Sequence, residues 1–189
     1  MHDVVRSAYS SDDCIWLYAG ITISSTDSNN TSKTNFDLSN NENEVKYVIR
    51  PTITQVTSNP ISGINLKIES MLPAGLTYIQ GSSNLENVEV TINDETGETI
   101  LTWYIYNCST DQPIQTIEFL AHINEETANG TQYTATAFLS EVVGEDETSK
   151  LGNPASVYRT ANTNIQVVNL SSYMLYKQTD TPVSYTHLY

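Results

Sequence analysis

The chain has 189 residues, 22 acidic and 8 basic, for a formal charge of −14, and it contains no run of about 18 apolar residues able to span a membrane. That charge has the wrong sign for a phosphate-binding surface, so nucleic acid is not an expected partner. Hydrophobic residues make up 39% and Tyr occurs 12 times, which argues against disorder, while Thr, Ser and Asn total 62 residues, so a polar-surfaced, β-rich chain remains. Residues 1–40 open with Met1–Arg6, which lacks the apolar stretch of a signal peptide; the chain is then either cytosolic or begins upstream. Ile15–Tyr18 and Ile21–Ile23 read as strands of this domain or as the end of a preceding one. Val45–Val56 reads as a strand that Pro51 interrupts, which predicts an edge strand or a bulge.

Period-two alternation dominates from there on. Ile64, Leu66 and Ile68 alternate with Asn65, Lys67 and Glu69. Leu101, Trp103 and Ile105 share one face, as do Ile117, Phe119, Ala121 and Ile123, and then Tyr133, Ala135, Ala137 and Leu139. Each pattern predicts a half-buried antiparallel strand, with one face packed and the other wet. Turn chemistry separates them. Asn93–Gly97 predicts a hairpin between Val88–Ile92 and Ile100–Ile105, and Asp111-Gln112-Pro113 and Asn129-Gly130 precede two further strands. Pro73 fixes φ and Gly75 permits positive φ, so Leu72-Pro73-Ala74-Gly75-Leu76 predicts a tight bend with both leucines turned inward. Short strands at even spacing predict an all-β fold, an antiparallel sandwich.

The segment Ile68–Ser82, with its Leu-Pro-x-Gly-Leu core, closely resembles the signature of the bacterial surface conserved-repeat family, a domain of unknown function found in tandem in large secreted and wall-attached proteins. Asn43–Ile49 resembles that family's opening strand, Leu101-Thr102-Trp103 its Trp-bearing strand, and Ile117-Glu118-Phe119 and Thr134–Ala137 its last two strands. Asn43-Glu44 stands where Gly-Asp is common, and Thr57–Gly63 replaces the usual Asn-Thr-Gly turn. Asn164–Val168 and Ser172–Asp180 resemble the linker and first strand of a following repeat. The resemblance implies an immunoglobulin-like β-sandwich of about seven strands over 41–160, a linker and next repeat over 161–182, and an unassigned 1–40. Val183–Leu188 looks like one reading frame of a transposon-end adapter, so 183–189 are expected to be an artefact.

Candidate chemistry is thin. Of the histidines, His2 and His187 are terminal and His122 alternates away from the packed face. Cys108 has no evident base, no Gly-x-Ser-x-Gly elbow is present, and Cys14 and Cys108 read as separate buried thiols, with pairing as the alternative. Acidic residues cluster in loops (Asp94, Glu95, Glu98; Glu125, Glu126; Glu145, Asp146, Glu147) and read as solvated charge, with weak calcium sites at Asn93–Glu95 and Gly144–Glu147 as the alternative. A Lys–Asn cross-link would draw on Lys46 or Lys67 with Asn153, Asn162 or Asn164, and Lys177 would belong to the next repeat; the alternation turns Lys67 away from the core. The sequons at Asn29, Asn30, Asn107, Asn129 and Asn169 arise by chance in so Asn-rich a chain. Tyr104 and Tyr106 share a polar face with Thr102, suited to cross-strand packing or to stacking on a sugar or protein. No catalytic, cofactor or metal residue is assigned. The expected role is a structural spacer or stalk repeat of an extracellular bacterial surface or cell-wall protein, partnered by neighbouring repeats, with a host or surface protein or glycan as a candidate further partner. A carbohydrate- or protein-binding module is the alternative.

Overall fold

The alternating segments pair into two sheets in the computed structural model, which describes residues 4–7, 15–55, 60–144 and 155–170. The described strands are β1 (Val4–Ser7), β2 (Ile15–Thr26), β3 (Asn35–Asp37), β4 (Glu44–Gln55), β5 (Ile64–Leu72), β6 (Leu76–Tyr78), β7 (Glu89–Ile92), β8 (Thr99–Cys108), β9 (Ile117–Ile123), β10 (Gln132–Gly144) and β11 (Ala155–Val168). One sheet has the order β1-β2-β4-β9-β6 and the other β3-β11-β10-β5-β8-β7. All pairs are antiparallel except β3 with β11, where Asn35, Phe36 and Asp37 lie beside Gln166, Val167 and Val168. The result is an antiparallel, immunoglobulin-like β-sandwich.

Most inward-facing residues that the alternation predicts lie in the core, but Ile105 and Tyr133 are only half-buried at its margin, and β2, β3, β4 and β11 add Ile23, Phe36, Tyr47, Ile49, Ile165 and Val167. Ile64, Leu66, Ile68, Leu101, Trp103, Ile117, Phe119, Ala121, Ile123, Ala135, Ala137 and Leu139 are all buried. Phe119 is its aromatic hub, with ring centroids 5.4 Å from Trp103, 5.4 Å from Tyr47 and 6.2 Å from Tyr78. Such tilted and edge-on contacts add about 0.5–1.5 kcal/mol each beyond area burial. The Trp103 indole donates to Ser83 Oγ at 3.0 Å, but the hydroxyls of Tyr47, Tyr78 and Ser70 are buried without a hydrogen-bond partner among the described residues. Burial pushes the Tyr47 phenol well above its ordinary range.

Three features depart from or extend the sequence expectations. Residues 15–26, open between two assignments, form β2 and pair with β4 over ten positions from Leu17↔Gln55 to Thr26↔Lys46. Pro51 sits neither on an edge strand nor in a bulge: β4 is central and its register with β2 is continuous through Ile21↔Pro51. The reason is local, because β9 pairs with β4 only over Glu44–Ile49, so on that side no ladder partner remains for the missing N–H. Third, β11 runs across the expected 160/161 boundary and pairs with β10 from Gln132↔Gln166 to Val142↔Ala155. The expected adapter segment 183–189, the next-repeat strand at 172–180 and the loop residues 57–59 lie outside the described residues.

Strand directions define two ends. β2 and β11 are neighbours across the layers. Arg159 Nε donates to the Ala19 carbonyl at 3.2 Å, and Ser25 Oγ lies 3.5 Å from Thr163 Oγ1, so the two strands run the same way. The end where both finish, called the upper end below, also carries the 27–34, 38–43, 73–75, 93–98 and 124–131 connections.

Candidate functional site

The upper end holds a polar cleft of about 490 Å³ between the 27–34 and 41–44 segments. Asp27 shapes its wall: Oδ1 accepts the main-chain N–H groups of Asn29 and Thr31, both at 2.9 Å. That turn holds Asn30 at φ 63°, a left-handed conformation Asn tolerates. Lys33 pairs with Glu42 at 2.6 Å and lies 5.2 Å over the Phe36 ring. The Lys33 ammonium, and then the Asp37 N–H, hold the Glu42 carboxyl below the usual carboxylate range. Beside the cleft, Lys46 Nζ sits 2.5 Å from Glu118 Oε2 and donates to Asn30 Oδ1 at 2.6 Å. The lining is thus made of carboxylates, carboxamides and one lysine; Lys33 neutralises Glu42, while Asp27 and Glu44 leave the cleft net acidic. It can accept and donate hydrogen bonds to a polar group, and its one hydroxyl, on Ser28, has no histidine beside it in the lining.

A second surface lies on the outer face of β8. Tyr104 and Tyr106 are 41% and 68% exposed, and their rings stack at 6.3 Å with an 11° interplanar angle. Lys67, opposite Tyr104, pairs with Glu69 at 3.2 Å, and Glu69 also accepts from Ser140 Oγ at 2.6 Å. Glu69 is the main cause that raises the Lys67 pKa. The tyrosines pack on each other first, and the outer face of Tyr106 is left to solvent.

The remaining candidates are scattered. His122 is half-buried on the outer face of β9, opposite Glu44. Cys108 is a buried free thiol whose pKa burial pushes up, which disfavours the thiolate; Cys14, His2 and His187 lie outside the described residues. Asn93 Oδ1 is occupied by the N–H groups of Glu95 and Thr96, so it shapes the β7–β8 turn around Gly97 at φ 73°. Asp94, Glu95 and Glu98 lie in that turn and Glu125 and Glu126 in the β9–β10 loop, while Glu145–Glu147 fall outside the described residues. Among the described residues no three of His, Cys, Asp and Glu come together in a way that could hold a metal. Of the cross-link candidates, Asn162 and Asn164 are exposed on β11, and Asn153 and Lys177 are outside the described residues. The carboxamide beside Lys46 is Asn30, 16 residues upstream, which no local spacing announces.

One polar cluster was missed by sequence reasoning. Asn169, read as a chance sequon, is 5% exposed and bonded to the β9–β10 loop at the upper end. Tyr133, Thr127 and Gly75 adjoin it. Its only sequence signal is an Asn directly after an alternating run.

A family model described as "Uncharacterised plasmid protein pXO2-29, C-terminal domain" matches residues 25–169. The chain belongs to that family. The matching model is thus not that of the surface conserved-repeat family, and its span closes at Asn169. No curated protein matches the chain significantly. Solved structures similar to this member of the pXO2-29 C-terminal family include BcpA, the major pilin subunit of Bacillus cereus, at 12% identity and TM-score 0.42, covering 82% of this chain and 41% of that one. A non-cellulosomal cohesin from the archaeon Archaeoglobus fulgidus gives 10% identity and TM-score 0.39, covering 84% and 96%. The bacterial hydrophobin BslA gives 18% identity and TM-score 0.39, covering 79% and 94%. Likeness at these levels adds nothing beyond the sandwich itself.

Proposed function

We propose that the chain is a non-catalytic spacer module of an extracellular bacterial surface protein, a sandwich of a stalk or adhesin of the surface conserved-repeat kind. The observation that carries this reading is the shared direction of β2 and β11. β1 folds back on the start of β2 as an edge hairpin, with Val4 beside Tyr18 and Ser7 beside Ile15; from the start of β2 the chain runs through the sandwich and leaves where β11 ends, at the opposite end. A twelve-residue strand spans roughly 40 Å, which is the reach each module adds. The proposed module runs from about residue 15 to 169 and so extends the expected 41–160 at both ends. Tension along that axis loads the β2–β4 and β10–β11 ladders in shear, so many hydrogen bonds resist together. The Thr/Ser/Asn-rich outer faces and the charge of −14 suit solvated exposure outside the cell.

Single-molecule extension of the full chain through its ends tests the proposal. The expected trace is one dominant cooperative event that releases roughly 500 Å of chain, preceded by at most one short step as the β1–β2 edge hairpin unzips. Lengthening at low load in several small steps would contradict a spacer.

A second reading, a module that binds carbohydrate or protein, is favoured by the exposed Tyr104–Tyr106 pair. Saturable glycan-array binding by the full chain, abolished by Tyr106→Ala, would displace the spacer.

A further inference from the structure

Where β11 reaches the upper end, the chain is held from both sides. Gly130 N donates to the Val167 carbonyl at 2.8 Å, Val167 N to Thr131 at 2.8 Å, and Gln166 N to Thr34 at 2.7 Å. The next residue closes the grip. Asn169 Nδ2 donates to the carbonyls of Thr127 at 2.9 Å and Glu125 at 3.2 Å, and its main-chain N–H donates to Asn129 Oδ1 at 3.0 Å. Leu170 N then donates to Ser39 Oγ at 3.0 Å, in the turn after β3. A carboxamide suits this position because it presents two donors to two carbonyls, which neither Asp nor Ala can do.

The loop that receives Asn169 is braced in turn. Thr127 Oγ1 lies 3.1 Å from Tyr133 Oη. Asn124 N donates to the Gly75 carbonyl at 3.1 Å. Gly75 has φ +97°, and a Cβ there would stand 2.2 Å from Tyr133 Oη, so only glycine leaves room for that hydroxyl. The Leu72–Leu76 bend, the most specific segment of the sequence, thus backs the loop that holds the chain's exit.

We infer that Asn169, braced through Thr127, Tyr133 and Gly75, is a mechanical latch. It pins the exit of β11 so that axial tension stays in shear and does not peel β11 from β10 and β3. The inference rests on the spacer reading. Without the latch, tension on residue 170 lifts Val168 and Val167 first and breaks the ladder bond by bond.

Force-clamp extension of the full chain through its ends, run beside denaturant unfolding without load, tests it. The prediction is that Asn169→Ala unfolds at least about tenfold faster under load, while unfolding in denaturant accelerates by no more than about threefold. Asn169→Asp is expected to match it, since an oxygen then faces two carbonyls. Ser39→Ala removes only the exposed outer bond, keeps the test open if the Asn169 variants do not fold, and is expected to show the same load-selective acceleration at smaller size. If the parent resists in one dominant event and all variants that fold accelerate equally with and without load, Asn169 is merely structural and the latch is overturned while the spacer stands. If the parent itself yields stepwise at low load, the spacer reading has failed, and the latch with it.

Discussion

Polar burial is handled in opposite ways at the centre of the sandwich and at its upper end. In the centre, Tyr47, Tyr78 and Ser70 bury hydroxyls that find no partner among the described residues. At the upper end, Asn169, Thr127 and Tyr133 are bonded to one another or to main-chain carbonyls of the β9–β10 loop. An unpaired hydroxyl costs desolvation and returns nothing, whereas a satisfied network fixes geometry. The centre is therefore held by area and ring packing, and its hydroxyls are surplus. The upper end is held by directed bonds, and there each polar atom counts.

Substitutions should separate the two regions. The largest effect is expected at the bend that backs the upper end: Gly75→Val forces a β-branched residue to positive φ against Tyr133, for a loss of about 3–5 kcal/mol. The thermal midpoint should then fall by roughly 10 °C. Tyr133→Phe should recover only part of it, because the ring carbon stays 2.7 Å from the new Cβ. Next is Asn169→Ala, which leaves the buried Thr127 carbonyl without its donor and frees the partly exposed Glu125 carbonyl to solvent, and should lower the urea midpoint by the equivalent of about 1 kcal/mol with an unchanged slope. In the centre the sign should turn: Tyr47→Phe and Ser70→Ala are expected to be neutral or to stabilise by up to about 1 kcal/mol. A clear loss at either position would mean that the central hydroxyls are not surplus.

The smallest effect is one of pH. Glu42 has its folded pKa lowered, by Lys33 first and then by the Asp37 N–H. Its contribution is present above the unfolded Glu value of about 4.3 and is lost as pH falls through the folded value. The midpoint of Glu42→Gln should therefore vary less than the parent's below about pH 4. Equal slopes there would remove Glu42 from the acid response.

How much of this was readable in advance follows the range of each signal. Alternation is local, so the inward faces of β5, β8, β9 and β10 could be named residue by residue, and the Gly97 turn and the Leu72–Leu76 bend followed from Pro and Gly chemistry. Which strand lies beside which is not local. Nothing in Ile15–Thr26 announces β4 as its partner, and nothing in Asn35–Asp37 announces a parallel place beside β11. Pro51 misled because a proline is normally barred from a central strand, and only the early end of β9 lifts that bar. Asn169 and Asn30 stayed hidden because, in a chain with 18 Asn, a carboxamide at one position looks like any other until the fold supplies its partners.

The central claim is that the sandwich is built to bear load from end to end. Its most direct test compares two pulling directions on the same protein. One runs through the chain ends, and the other through Thr91 on β7 and Asn162 on β11, at opposite sides of the six-stranded sheet. The account predicts a clearly higher unfolding force along the chain axis, where ladders shear, than across the sheet, where they unzip. Equal forces in the two directions, or a higher force across the sheet, would contradict it.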